Sequence, residues 1–268
     1  SFVNQATARC SVTGSKFWFN CNPGSPQHWF YLEWVRKCRS RKMMYLHFTM
    51  DDNLSLSEDI KARYRSQYSG VFYQRYILGL WTVAEGLVYD MFDRKKHVID
   101  KLPVMSPKSA YVACDFGTQN ATVFLLIQKQ ADADCWIVTR EYYYSGREQK
   151  RQKTVGEYVT DLKAWLNGLK PERIIVDPSA LPLITELRKN GFTQTPANND
   201  VLSGILDVQT MLQTGRLKIY KGCKHTLEEF GVYAWDPDKD DAVLKVNDHC
   251  MDAIRYFVRT KRLVKLRD

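Results

Sequence analysis

The chemistry in this sequence rests on three aspartates and one histidine. Asp115 closes the apolar run Tyr111-Val112-Ala113-Cys114, and Asp177 closes Ile174-Ile175-Val176. Both carboxylates therefore stand at the lip of a buried sheet, the position where open α/β sheets bind ligands. The third element is Asn247-Asp248-His249-Cys250-Met251-Asp252, in which His249 and Asp252 are three apart and share one face of a helix. Alone, any one of these aspartates serves as readily as a turn former or helix cap, and a single His-x-x-Asp as a surface pair. Asp248 fits the capping role, at the start of the last helix.

Together they suggest a different use. Three bare carboxylates about 4 Å apart repel by roughly 4 kcal/mol per pair at an effective dielectric near 20, so the cluster must hold protons or a divalent cation. Carboxylate oxygens with water suit Mg²⁺ or Mn²⁺, and two such ions roughly 3.5 to 4 Å apart hydrolyse phosphodiesters. One ion activates the attacking water, and the other stabilises the leaving 3′ oxygen. His249 would be a ligand favouring Mn²⁺ or a proton carrier near the leaving group.

The elements that must position these groups are legible in part. Apolar runs at 110–115, 121–128 and 135–144, separated by short polar turns, predict an antiparallel meander. Helices follow over 154–169, 180–190, 200–214, 226–233 and 248–262, with short strands at 173–177 and 217–220. The order predicts a mixed-sheet α/β domain. Upstream, buried strands are expected at 16–20 and 43–50, helical spacing over 29–35, one helix from Ser57 to about Ile77, and a linker over 79–107.

Composition sets the bounds. The 268 residues carry 39 Lys plus Arg against 30 Asp plus Glu, a net charge of +9, with 44% hydrophobic content, which excludes intrinsic disorder. Residues 1–110 hold 16 basic and 9 acidic side chains, whereas 111–268 hold 23 and 21. This asymmetry suggests a polyanion held near an acidic site. No apolar run reaches membrane-spanning length and no signal peptide is visible, so an intracellular protein is expected. Seven scattered cysteines without a C-x-x-C pair read as reduced, mostly buried hydrophobes. Ser1, in place of a methionine and followed at once by ordered-looking sequence, reads as a start inside a longer chain.

Three other motifs carry weaker signals. Arg147, Lys150, Arg151 and Lys153 form a basic loop that either grips phosphates or is simply solvated. Asp236-x-Asp238-x-Asp240 lacks the glycine and glutamate of a calcium loop, and reads as an acidic hairpin tip. Ser179 has no His-acid partner pattern and reads as a cap rather than a nucleophile.

Tyr142-Tyr143-Tyr144-Ser145-Gly146-Arg147-Glu148-Gln149, the strand ending Val176-Asp177-Pro178-Ser179-Ala180, and Asp248-His249-Cys250-Met251-Asp252-Ala253-Ile254-Arg255-Tyr256 together resemble the nuclease domain of tailed-bacteriophage terminase large subunits. The likeness covers about residues 80–262. Upstream, the residues from Phe19 to Trp29 are similar to the late part of the family's ATPase domain. The resemblance implies a ribonuclease H-like mixed sheet flanked by helices (86–268), preceded by a C-terminal remnant of a P-loop ATPase domain with its linker (1–85). It implies Asp115, Asp177, Asp252 and His249 as catalytic and metal-binding residues, with two Mg²⁺ or Mn²⁺ ions. It also implies endonucleolytic cutting of concatemeric double-stranded viral DNA in the host cytoplasm, with the terminase small subunit and portal as partners and no membrane. No G-x-x-x-x-G-K-[ST] loop is present, Gly14-Ser15-Lys16 and Gly222-Cys223-Lys224 being the nearest approaches, so autonomous ATPase activity is not expected. The alternatives are a non-catalytic DNA-binding or motor-docking module, and a resolvase- or transposase-type nuclease of the same fold.

Overall fold

A computed structural model describes residues 2–117 and 120–264. Ser1, residues 118–119 and residues 265–268, which fall within the two expected domains, lie outside the described residues. Among those described, a seven-stranded mixed sheet runs in the order β1-β7-β4-β3-β2-β5-β6. The strands are β1 (Val98–Ile99), β2 (Met105–Asp115), β3 (Ala121–Gln130), β4 (Trp136–Ser145), β5 (Arg173–Val176), β6 (Gln194–Pro196) and β7 (Leu217–Tyr220). β2, β3 and β4 form the predicted antiparallel meander. β5 joins β2 in parallel, with Cys114 opposite Val176, and β7 joins β4 in parallel.

Helices cover both faces of the sheet, which is why the central strands are apolar at successive positions rather than alternating. Val112, Cys114, Phe124, Leu126, Ile174 and Val176 pack on one side with Tyr158, Leu162 and Leu183. These last residues come from α5 (Val155–Leu166) and α6 (Leu181–Lys189). Tyr111, Ala113, Val123, Leu125 and Ile175 face the other side. There they meet α7 (Val201–Gln213), α8 (Lys224–Phe230) and α9 (His249–Thr260). Continuing the two-residue alternation by one step turns both Asp115 and Asp177 toward α9.

Helix ends follow local chemistry. Thr154 and Glu157 form a capping box at the start of α5. Asp200 caps α7 through the Ser203 N–H. Asn167, Gly191 and Gly215, all at positive φ, close α5, α6 and α7.

The N-terminal third departs from expectation. α1 (Phe2–Ala8) precedes a chain with little regular structure. Residues 16–20 and 43–50 form no strands: they find no ladder partner among the described residues, and Trp18 and Phe48 lie exposed. Residues 29–35 do turn helically, as a π-helical turn over Tyr31–Val35. The helix expected over 57–77 is two, α2 (Glu58–Gln67) and α3 (Gly70–Tyr76), because Tyr68 and Ser69 are extended and Gly70 sits at φ +49°. The stretch read as a linker is partly structural. Val88 and Tyr89 are buried in the core, and α4 (Arg94–His97) leads into β1, which pairs with β7. Val71, Phe72 and Ala84 also pack into the core under α9. The expected strand arms around residues 236–241 reduce to a single bridge, Trp235 with Val243. All seven cysteines are free, but Cys10 and Cys21 are exposed and only Cys114, Cys135, Cys223 and Cys250 are buried.

Candidate active site

The site forms where the carboxyl ends of β2 and β5 meet the first turns of α9. Two cap interactions set that meeting. Glu141 of β4 accepts the backbone N–H groups of His225 and Thr226, holding the start of α8. Glu229 of α8 accepts those of Cys250 and Met251 at 2.7 and 3.1 Å, holding the start of α9. Asp248 occupies the cap position of α9, but its side chain makes no cap hydrogen bond. A carboxylate from the neighbouring helix does that work, consistent with the positive end of a helix dipole. Burial pushes Glu229 up to about 7, against the pull of those two N–H donors.

With α9 fixed in this way, His249 Nδ1 lies 2.8 Å from Asp115 Oδ2. Burial raises Asp115 above the ordinary carboxylate range; the charges of Asp252 and Asp248 add to this, and His249 opposes it. Burial disfavours the charged imidazole of His249, but the hydrogen bond and charge of Asp115 outweigh it and hold the ring above its ordinary value. The pair is poised to share a proton.

Asp252, one turn along α9, is held between two cations. Arg255 donates to its Oδ1 from Nη2 at 2.9 Å and from Nε at 3.3 Å, and Lys245 Nζ lies 3.1 Å from its Oδ2. Lys245 also pairs with Asp248 at 3.0 Å. Asp177 stands apart. Its Oδ1 accepts the Ser179 N–H at 2.8 Å, its Oδ2 accepts Asn199 Nδ2 at 3.3 Å, and the Tyr256 hydroxyl donates to it as well. Burial works upward on Asp177, but these donors win and hold it below the ordinary carboxylate range.

The structure thus brings His249 onto Asp115, with Asp252 near enough to act on Asp115 electrostatically, and links Asp177 to the group through Asn199 and Tyr256. Among the described residues, no three His, Cys, Asp or Glu side chains stand close enough to hold a metal ion as arranged. Sequence reasoning missed Tyr256, whose hydroxyl is raised by burial and by the charges of Asp252, Asp115 and Asp177 around it. Its spacing was a usable signal, since 249, 252 and 256 share one helical stripe. Glu229, Lys245 and Asn199 carry no comparable local signal.

The basic loop after β4 divides in two. Because β4 and β2 are both antiparallel to β3, this loop lies at the same sheet end as Asp115, about 10 Å across at two strand spacings. Arg151 is paired with Glu157, and Lys153 with Asp161. Arg147 and Lys150 are exposed.

No protein-family model matches the chain. The large terminase of a thermophilic bacteriophage, solved with ADP, superposes with a TM-score of 0.89 at 48% identity, covering 97% of this chain and 65% of that one. The chain belongs to the phage terminase large-subunit family. The terminase large subunit of Escherichia phage T5 is 26% identical over 228 residues, 80% of this chain and 50% of that protein. This terminase chain therefore spans about half the length of the curated relatives it matches. The nuclease domain of the P22 large terminase, 22% identical, matches with a TM-score of 0.52 over 67% of this chain, and shares its fold, the ribonuclease H-like mixed sheet.

Proposed function

We propose that this chain carries the nuclease of a DNA-packaging terminase, a divalent-metal-dependent endonuclease that cuts concatemeric double-stranded viral DNA. The observation that carries the reading is the contact of His249 with Asp115 at the end of β2, with Asp252 presented by the same face of α9.

The donor chemistry fits a hard divalent cation. Asp115, Asp177 and Asp252 offer carboxylate oxygens, and the raised Asp115 marks negative charge that the protein leaves under-compensated. Asp252 now has Lys245 and Arg255 on its two oxygens, so cation binding requires Lys245, whose side chain is 60% exposed, to withdraw. When bound, two Mg²⁺ or Mn²⁺ ions lower the pKa of an attacking water and stabilise the leaving 3′ oxygen. The chain's own residues do the rest. Asp115 and His249 hold a proton between Oδ2 and Nδ1 beside the scissile position, as a ligand pair or a proton relay. Asp177 enters already ionised. Arg147 and Lys150 are free to meet phosphates, whereas Arg151 and Lys153 shape the loop through their internal pairs.

We assign residues 1–85 to the end of an ATPase domain with its linker and 86–268 to the nuclease. The terminase small subunit and portal are the partners in the host cytoplasm. No helix among the described residues is long and apolar enough to cross a membrane.

Plasmid cutting with Mn²⁺ or Mg²⁺ tests the reading. Asp115→Ala and Asp252→Ala should each abolish cutting, and full activity in either variant refutes the assignment. Chelator-resistant DNA retention without cleavage under any metal would establish the docking-module reading instead, and preference for branched DNA the resolvase one.

A further inference from the structure

Asp177 and Asp252 sit on different elements and share no hydrogen bond among the described residues, yet besides Tyr256 of α9 a loop residue touches the surroundings of both. Asn199, in the loop between β6 and α7, donates from Nδ2 to Asp177 Oδ2 at 3.3 Å. Its main-chain oxygen accepts from Nη1 of Arg255 at 3.0 Å, and that guanidinium is the one that grips Asp252 Oδ1. Arg255 itself has no latitude. It is 2% exposed, and a Cβ added at Gly204 of α7 would lie 2.5 Å from its Cγ.

The loop travels with α9. The Asn198 N–H donates to Thr260 Oγ1 at 2.9 Å, and Arg259 lies 3.5 Å from Asp200, so residues on either side of Asn199 are also tied to that helix. The amide of Asn199 therefore carries the position of α9, and so of Asp252, to the end of β5. With Oδ1 held by Ser179, this amide holds the second oxygen of Asp177, alongside the Tyr256 hydroxyl that reaches the same carboxylate from α9.

We propose that Asn199 is a positioning residue that fixes Asp177 against Asp252, so that the two carboxylates present a set spacing to divalent cations. The inference rests on the nuclease reading above. Groups that orient metal ligands in this indirect way are typically worth about 10- to 100-fold in metal affinity or activity.

The test uses the intact chain and Mn²⁺. Asn199 is exposed, so Asn199→Ala should fold normally, which an unchanged melting temperature would verify. Calorimetric titration with Mn²⁺ in the absence of DNA should show about tenfold weaker binding, and plasmid cutting should need about tenfold more Mn²⁺ for half-saturation. The maximal rate at saturating Mn²⁺ should change much less. Asn199→Gln, which keeps the amide donor on a longer arm, should recover part of the affinity. If wild type binds Mn²⁺ and cuts while Asn199→Ala matches it in both measurements, the positioning role is wrong and the nuclease reading stands. If wild type neither binds Mn²⁺ nor cuts, the nuclease reading fails and takes this inference with it.

Discussion

Asp115 and Asp177 end neighbouring parallel strands one residue beyond a matched pair, Cys114 opposite Val176, yet their surroundings drive them in opposite directions. Asp115 is buried under α9 and lies near two other carboxylates, so its charged form is disfavoured despite the imidazole of His249. Asp177 lies at a more open corner among hydrogen-bond donors, so its charged form is favoured. Strand position supplies the carboxylates, and the neighbours each one meets, α9 above Asp115 and the Ser179 and Asn199 donors around Asp177, decide their ionisation. One corner favours the protonated acid and the other the charge, the division of labour expected where acid–base chemistry and ion binding share a site.

The largest test of this contrast is to neutralise each acid in turn. Asp115→Asn should reduce cutting by roughly a thousandfold or more, as removal of a group acting in the reaction does. Stability should move oppositely at the two corners. The raised Asp115 contributes stability at low pH that is lost as pH rises through its folded value, so at neutral pH Asp115→Asn should raise the melting temperature. The depressed Asp177 contributes stability present above the ordinary carboxylate range and lost as pH falls through its folded value. Asp177→Asn should therefore lower the melting temperature. Two shifts of the same sign would break the comparison.

The next largest effect concerns Glu229, which sets α9 against the sheet. Its carboxyl rises from the ordinary range to about 7, so the folded state holds a proton that the unfolded chain releases. Stability should fall by about 3 kcal/mol as pH rises from about 4.5 to 7, and then level off. Glu229→Gln, which keeps an acceptor for the two N–H groups, should flatten that slope. Denaturant melts across the window would show it, and equal slopes in variant and wild type would rule it out.

Lys245→Met should have the smallest effect. The ammonium competes for Asp252 from an exposed side chain, so its loss should lower the half-saturating Mn²⁺ concentration by about twofold to fivefold. An increase would mean that Lys245 helps cutting rather than masking the acid.

The sheet meander, the five helices after it and the strand-end aspartates were legible because each obeys a local period or a cap rule. Asp115, Asp177, His249 and Asp252 could be named from position alone. What surrounds them could not. Asn199 and Lys245 reach the acids from loops, where no period operates, and Glu229 caps a helix that begins twenty residues further on. The strands expected at 16–20 and 43–50 failed for a related reason. An apolar run becomes a strand only when another strand pairs with it, and these runs have none among the described residues.

The order of elements along the chain also has a bearing on biosynthesis. β1 must wait about 120 residues for β7, and α9, which carries His249, Asp252 and Tyr256, is the final helix described. A nascent chain that has produced Asp115 and Asp177 has two of the candidate acids, with no helix to cover the first or to present Asp252. On the nuclease reading proposed above, the three acids are brought together only when synthesis has passed residue 256 and α9 has docked.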